Sequence, residues 1–445
     1  MGGIDIGIHR IVACMALVLF IVGHILATPQ GALVGSRNPT LDNSSEILNF
    51  QQYGTPGENN GTYEIENGDV GTADIPTFHW DWEIRDNVPE LKTFLIEQEQ
   101  LQEMSSEIQQ IIVDKYEPSD SYNGQRENAT FLILCRNDDV FDLLQTLRLL
   151  QDRFNHHYNY DFTLLNDVPF TKDFIFLIST FIPRGRLNFG SIPPEHWSYP
   201  DHIDQERAMQ ARLQMDDIPY GNSDSYRHMC RYYSGFFYKH PMVRQYQYYW
   251  RIEPGVTFHC DLSYDLFKYM KTHDKKYAFA ISLFEYLASI PTLWKSFKKY
   301  VNDNIHTLDN FSLQLLPLLQ NDDIYESYNL CHFWTNFELA DLSVFDNDQY
   351  NDFFTYLDNL GGFFYERWGD APIHSMAVAL FLNKSQIHWV NDLGYSHQPY
   401  SQCPQETQLY VDNKCTCDPD VDFSFNLLSC TSHFLKVINE DKDSG

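Results

Sequence analysis

The sequence predicts an α/β fold, and two adjoining segments carry the prediction. Residues 129–139, ATFLILCRNDD, are an apolar run that ends in polar turn formers, after which Val140, Leu143, Leu144, Leu147, Leu150 and Phe154 recur at helical spacing. Residues 162–170, FTLLNDVPF, then supply a second apolar strand. Strand, helix, strand in that order builds a sheet covered by helices, with its ligand beyond the strand ends. At 445 residues the chain can bury a full core and still carry appendages. It has no glycine-rich dinucleotide fingerprint.

The formal net charge of -30 excludes a nucleic-acid partner, which requires a basic face. An acidic chain also repels phosphate, so a nucleotide donor would need a divalent cation or a local basic cluster. Aromatics make up 15% of the residues, enough to furnish sugar-stacking surfaces as well as a core.

Residues 1–10 read as a short tail ending in Arg10, and residues 11–27, IVACMALVLFIVGHILA, as an uncharged membrane anchor, since a spanning helix needs about 17–25 residues. Ile25 would stand at the -3 position of a cut after Ala27, which disfavours cleavage and leaves the body luminal. Five glycosylation sequons, at Asn43, Asn60, Asn128, Asn310 and Asn383, agree with a secretory location. Residues 28–121 read as a stem, loose to about residue 75 and helical from about 80 to 116, and residues 122–445 as the main domain. Cys403, Cys415, Cys417 and Cys430 crowd the C-terminal end, where pairing between neighbours would staple a loop-rich tail; a zinc site is the less fitting alternative.

Residues 246–252 read as a buried strand that delivers Arg251 and Glu253 at its end, where Pro254 and Gly255 turn the chain. Residues 277–284 read as a further strand ending at Glu285, followed by a helix with Pro291 in its first turn. A helix near residues 350–360 stops at Gly361 and Gly362, and Asp370 stands before a Pro-initiated helix, where it would serve as a cap. Residues 328–345, YNLCHFWTNFELADLSVF, set Glu338 behind His332, Phe333, Trp334 and Phe337. A carboxylate among aromatics is either tuned for chemistry or satisfied by backbone donors.

That stretch resembles the signature of the fungal Golgi α-1,2-mannosyltransferases, glycosyltransferase family 15, and its Asn336-Phe337-Glu338 triplet resembles the family's NFE. LNDVPFTKDF at residues 165–174, SYRHMCRYYSGFFYKHP at 225–241 and the Glu253-Pro254 turn are similar to further family blocks, and the resemblance spans about residues 122–430. It implies a single GT-A-like nucleotide-sugar transferase domain with a mixed central sheet flanked by helices. It further implies a GDP-mannose donor, Mn²⁺, a mannosylated glycoprotein acceptor and a Golgi membrane location, single-pass with the catalytic domain in the lumen. Carried over residue by residue, Glu338 becomes the nucleophile or oxocarbenium stabiliser. Tyr226, Arg251, Glu285 and Asp370 become saccharide-binding residues, and Glu253 and His397 the metal ligands. A mannan-cleaving hydrolase and an inactive mannan-binding protein remain the alternatives.

Overall fold

The computed structural model describes residues 125–182, 186–306, 308, 314–321 and 326–439. The expected tail, anchor and stem, and the sequons at Asn43, Asn60 and Asn310, lie outside them. Among the described residues no helix is long and apolar enough to cross a membrane. Asn128 and Asn383 are exposed, as glycan acceptors must be.

A seven-stranded mixed sheet forms the centre, in the order β10 (Ile387–Trp389), β6 (Tyr277–Phe279), β9 (Glu338–Asp341), β4 (Tyr248–Ile252), β1 (Ala129–Leu134), β2 (Asp161–Asn166) and β3 (Leu187–Ser191). The pairs from β4 to β3 are parallel, as is the β10–β6 pair, whereas β9 runs antiparallel to both its neighbours. Being covered on both faces, β1 and β4 read as nearly unbroken buried runs rather than as alternating ones. On one face Phe131 and Trp250, 5.5 Å apart at their ring centres, pack under α1 (Val140–Leu150). The other face, with Tyr249, Tyr277 and Ala340, is covered by α2 (Asp224–Gly235), α5 (Asp348–Leu360) and α6 (Asp370–Phe381). Between α2 and α5 in the chain come α3 (Leu266–Thr272) and α4 (Leu293–Asn304).

Several expectations are corrected. The strand foreseen over residues 277–284 is two pieces, β6 and β7 (Ser282–Phe284), because the chain leaves the main sheet after Phe279 and pairs with β8 (Cys331–Phe333) in a separate ribbon. Pro291 precedes α4 and lies outside its first turn, which begins at Leu293. The crowded cysteines pair mostly across the fold. Cys403–Cys417 closes the tail on itself, but Cys260–Cys415 and Cys331–Cys430 tie it to the catalytic body. Cys135 and Cys230 are unpaired and buried, and burial pushes both thiols up.

Two turns match expectation. Gly361, at φ 72°, ends α5 in the left-handed conformation. Gly255, at φ 86°, occupies the third position of the Glu253-Pro254-Gly255-Val256 turn, where a type II turn requires glycine. That turn leads into β5 (Thr257–Phe258), which joins β11 (Tyr395–His397) and β12 (Tyr400–Gln402) in a small antiparallel sheet. The end of β4 and the end of β11 are thereby brought together.

Candidate active site

Register sets the centre of the site. Arg251 of β4 lies opposite Glu338 of β9, so both side chains project from the face that carries Tyr249 and Ala340. The Arg251 guanidinium sits 3.6 Å above the Tyr233 ring of α2 and reaches Asp370 Oδ2 at 2.5 Å and Glu253 Oε1 at 2.5 Å. Burial works against the charge on Arg251, but its two carboxylates hold its pKa above the usual value. Burial also opposes ionisation of Glu253, yet Arg251 and His397 bring that carboxyl down to about 2. Asp370 is lowered in the same way, against its burial, by Arg251, His374 and Thr335.

Asp370 is the first residue of α6 and caps nothing; Gly369 stands at the cap position. Instead of the expected capping bond, its Oδ2 accepts from Thr335 Oγ1 at 2.7 Å as well as from Arg251. A helix-start signal in sequence therefore concealed a side chain turned toward the strand ends.

Glu338 is fully buried and is satisfied by side chains, not by the backbone donors that its bland reading foresaw. Tyr249 Oη donates to Oε1, and Tyr277 Oη and His374 Nδ1 approach Oε2 at 2.8 and 2.7 Å. His374 Nε2 meets the Tyr233 carbonyl at 3.0 Å. Both ring nitrogens thus face acceptors, and the ring makes both bonds as donor only when doubly protonated.

His397 lies at the end of β11, with Nε2 3.5 Å from Glu253 Oε2. Its Nδ1 is 3.1 Å from the Gln398 carbonyl, an acceptor that fixes the proton on Nδ1 in the neutral ring and leaves Nε2 facing the carboxylate. Burial lowers the pKa of His397, but Glu253 raises it more, so the net shift is upward. Among the described residues no group of three or more His, Cys, Asp and Glu side chains gathers as a metal cage. One carboxylate and one imidazole fit a Mn²⁺ or Mg²⁺ ion whose other ligands are diphosphate and water oxygens.

A further ion pair completes the site. Glu285 Oε1 accepts from Arg367 Nη2 at 2.9 Å, and Arg367 Nη1 lies 3.4 Å from Tyr226 Oη. All the residues named from sequence thus fall into two linked chains, His397–Glu253–Arg251–Asp370 with Glu338 beside Arg251, and Glu285–Arg367–Tyr226. Sequence reasoning missed Arg367, His374, Thr335, Tyr233, Tyr249 and Tyr277. Two signals were available: strand alternation aligns Tyr249 with Arg251, and helical spacing aligns His374 with Asp370.

An α/β sheet that gathers its ionisable groups at adjoining strand ends, with a carboxylate and an imidazole side by side, has the architecture of a nucleotide-sugar transferase. The chain belongs to the glycolipid 2-alpha-mannosyltransferase family, whose profile matches residues 84–439 and so begins within the segment read as stem. It is 60% identical over 319 residues to a probable mannosyltransferase of Candida albicans, covering 72% of this chain and 82% of that one. An alpha-1,2 mannosyltransferase of Saccharomyces cerevisiae is 48% identical over 327 residues, covering 73% and 82%. Among solved structures, the Aspergillus fumigatus core-mannan synthase A in its Mn/GDP form shares 35% identity at a TM-score of 0.66, covering 74% of this chain and 89% of that one. A Saccharomyces cerevisiae mannosyltransferase in complex with GDP shares 34% at a TM-score of 0.68, covering 80% and 97%.

Proposed function

We propose that this protein is a retaining α-1,2-mannosyltransferase that moves mannose from GDP-mannose to the mannose termini of glycoproteins. The convergence of Glu253, His397, Arg251, Asp370 and Glu338 at adjoining strand ends, in a chain of this family, carries the reading. Mn²⁺ held by Glu253 and His397 would supply charge neutralisation for the diphosphate as the glycosidic bond breaks. Arg251 holds the inner oxygen of Glu253 and keeps its outer oxygen directed toward His397. Asp370, fixed by Arg251 and Thr335, is the saccharide-binding acid, and Glu285 with Arg367 and Tyr226 forms the acceptor side.

Retention of configuration proceeds either through a glycosyl-enzyme or with acceptor and leaving diphosphate on one face. The burial of Glu338 and its three donors favour the second route. A buried carboxylate whose two oxygens are already held by three side chains is a poor nucleophile, but its charge still stabilises the cationic sugar. Glu338 acts as an oxocarbenium stabiliser in this reading.

Residues 11–27 anchor the protein in the Golgi membrane, with the body luminal. Protease protection in sealed vesicles tests that orientation; digestion of the body without detergent contradicts it. Incubation of the purified protein with GDP-mannose, Mn²⁺ and α-methyl mannoside tests the activity. Methyl mannobioside formation is expected, whereas mannan cleavage without nucleotide, or mannan binding without turnover, would favour the hydrolase or the binding protein.

A further inference from the structure

The loop that precedes α2 carries a tyrosine in an unusual state. Tyr220 has φ 57°, in the left-handed region that a bulky residue seldom adopts, and it is 64% exposed. The surrounding turn dictates this conformation. Ile218 N donates to Met215 O at 3.0 Å, Gly221 N to Ile218 O at 2.7 Å and Ser223 N to Tyr220 O at 3.0 Å. Gly221 leaves no room for adjustment, since a Cβ there would fall 1.9 Å from the Met215 carbonyl oxygen. Arg227 of α2 reaches Met215 Sδ at 3.5 Å and ties the turn to the helix.

What the turn presents is an aromatic face. The Tyr220 ring lies parallel to the Tyr226 ring, 4.7 Å away and tilted by 6°. Arg367, the partner of Glu285, lies beside Tyr226 with its guanidinium carbon 5.6 Å from the ring centre. The stack therefore begins at the acceptor side of the site and ends at a rigid, exposed aromatic surface. Strain held by an over-determined turn, next to a site, is a mark of function.

We propose that Tyr220 is the platform for the second sugar of the acceptor, the mannosyl unit attached to the one that receives the new residue. This rests on the mannosyltransferase reading above and on the continuity of the stack from Glu285 outward. A pyranose presents a face rich in C–H bonds, which an aromatic ring covers well while its hydroxyls stay in water. A ring already fixed in place loses little freedom on binding, so the contact adds affinity at low entropic cost. The platform makes the enzyme prefer a chain end of two or more mannoses to a single mannose.

The test uses Tyr220→Asn, which removes the ring but tolerates the left-handed backbone, and Tyr220→Phe, which keeps the ring. The Asn variant is expected to lower kcat/KM for α-1,2-mannobiose about tenfold more than for α-methyl mannoside, and Phe to preserve the wild-type ratio. Equal losses on both acceptors, or none on either, would overturn the inference, because a merely structural role does not distinguish them. Direct titration of mannobiose and α-methyl mannoside onto the GDP-bound protein gives the same comparison without turnover. Binding that depends on Tyr220 in a protein that transfers nothing would contradict the proposed activity and leave this inference standing; transfer that ignores Tyr220 would do the reverse.

Discussion

Arg251 and Glu338 face each other across the antiparallel β4–β9 pair, yet each is neutralised by other partners. Arg251 turns to Asp370 and Glu253, and Glu338 to His374 and two tyrosines. The carboxyl groups of Asp370, Glu253 and Glu338 thus lie around a single guanidinium.

Arg251→Lys should be a severe change despite its retained charge. A lysine cannot donate in a fork to Glu253 and Asp370 together, so one carboxylate loses its anchor. Turnover is expected to fall by a factor of about 10² or more, with a raised Mn²⁺ requirement. Steady-state kinetics across Mn²⁺ concentrations check this, and near-normal rates at all of them would show that the fork is dispensable.

His374→Phe should destabilise the fold by about 1–3 kcal/mol, because it removes one of the three side chains that satisfy the buried Glu338. Adding Glu338→Gln to it should recover part of that loss, since an amide tolerates the missing partner better than a carboxyl group does. Denaturant unfolding of the two single variants and the double variant measures the coupling, and strictly additive losses would show that the two side chains do not depend on each other.

The fold class was legible because its signals are local. Residues 129–134 and 140–150 announce strand and helix by their own periodicity, and the Glu-Pro-Gly turn by its glycine. The break between Phe279 and Ser282 was not, since an apolar run carries no mark of which sheet it pairs with. Pairings such as Arg251–Asp370, 119 residues apart, depend on topology, and Asp370 showed in sequence only as a helix-start residue. Strand ends singled out Arg251, Glu253 and Glu285, while the roles of the site residues came from family blocks; strand alternation and helical spacing would have added Tyr249 and His374.

Burial pushes Asp422 up to about 7, even though its carboxyl accepts from Cys403 N at 2.8 Å and from Ser424. Its pKa in the fold exceeds the unfolded value near 4, so its contribution to stability is complete below about pH 4 and is lost as pH rises through about 7. Wild-type thermal stability should therefore decline from pH 5 to pH 8 more steeply than that of Asp422→Asn. Parallel profiles of the two proteins would rule this group out as the source.

Glu253→Ala and His397→Ala should each weaken GDP binding in the presence of Mn²⁺ and change it little in chelator. Calorimetric titration with and without metal distinguishes this from a general loss of the nucleotide site. Equal weakening in both conditions would remove the two residues from metal binding.

The most direct measurement follows the reaction of GDP-mannose with α-methyl mannoside by nuclear magnetic resonance, comparing wild type with Glu338→Gln. The account predicts an α-1,2-linked product of retained configuration, formed only with a divalent cation. It also predicts a loss of about 10² or more in kcat for the variant, with little change in donor binding and no mannosyl adduct on Glu338 of the wild type. A β-linked product, turnover in chelator, or a folded variant within a few-fold of wild type would contradict it.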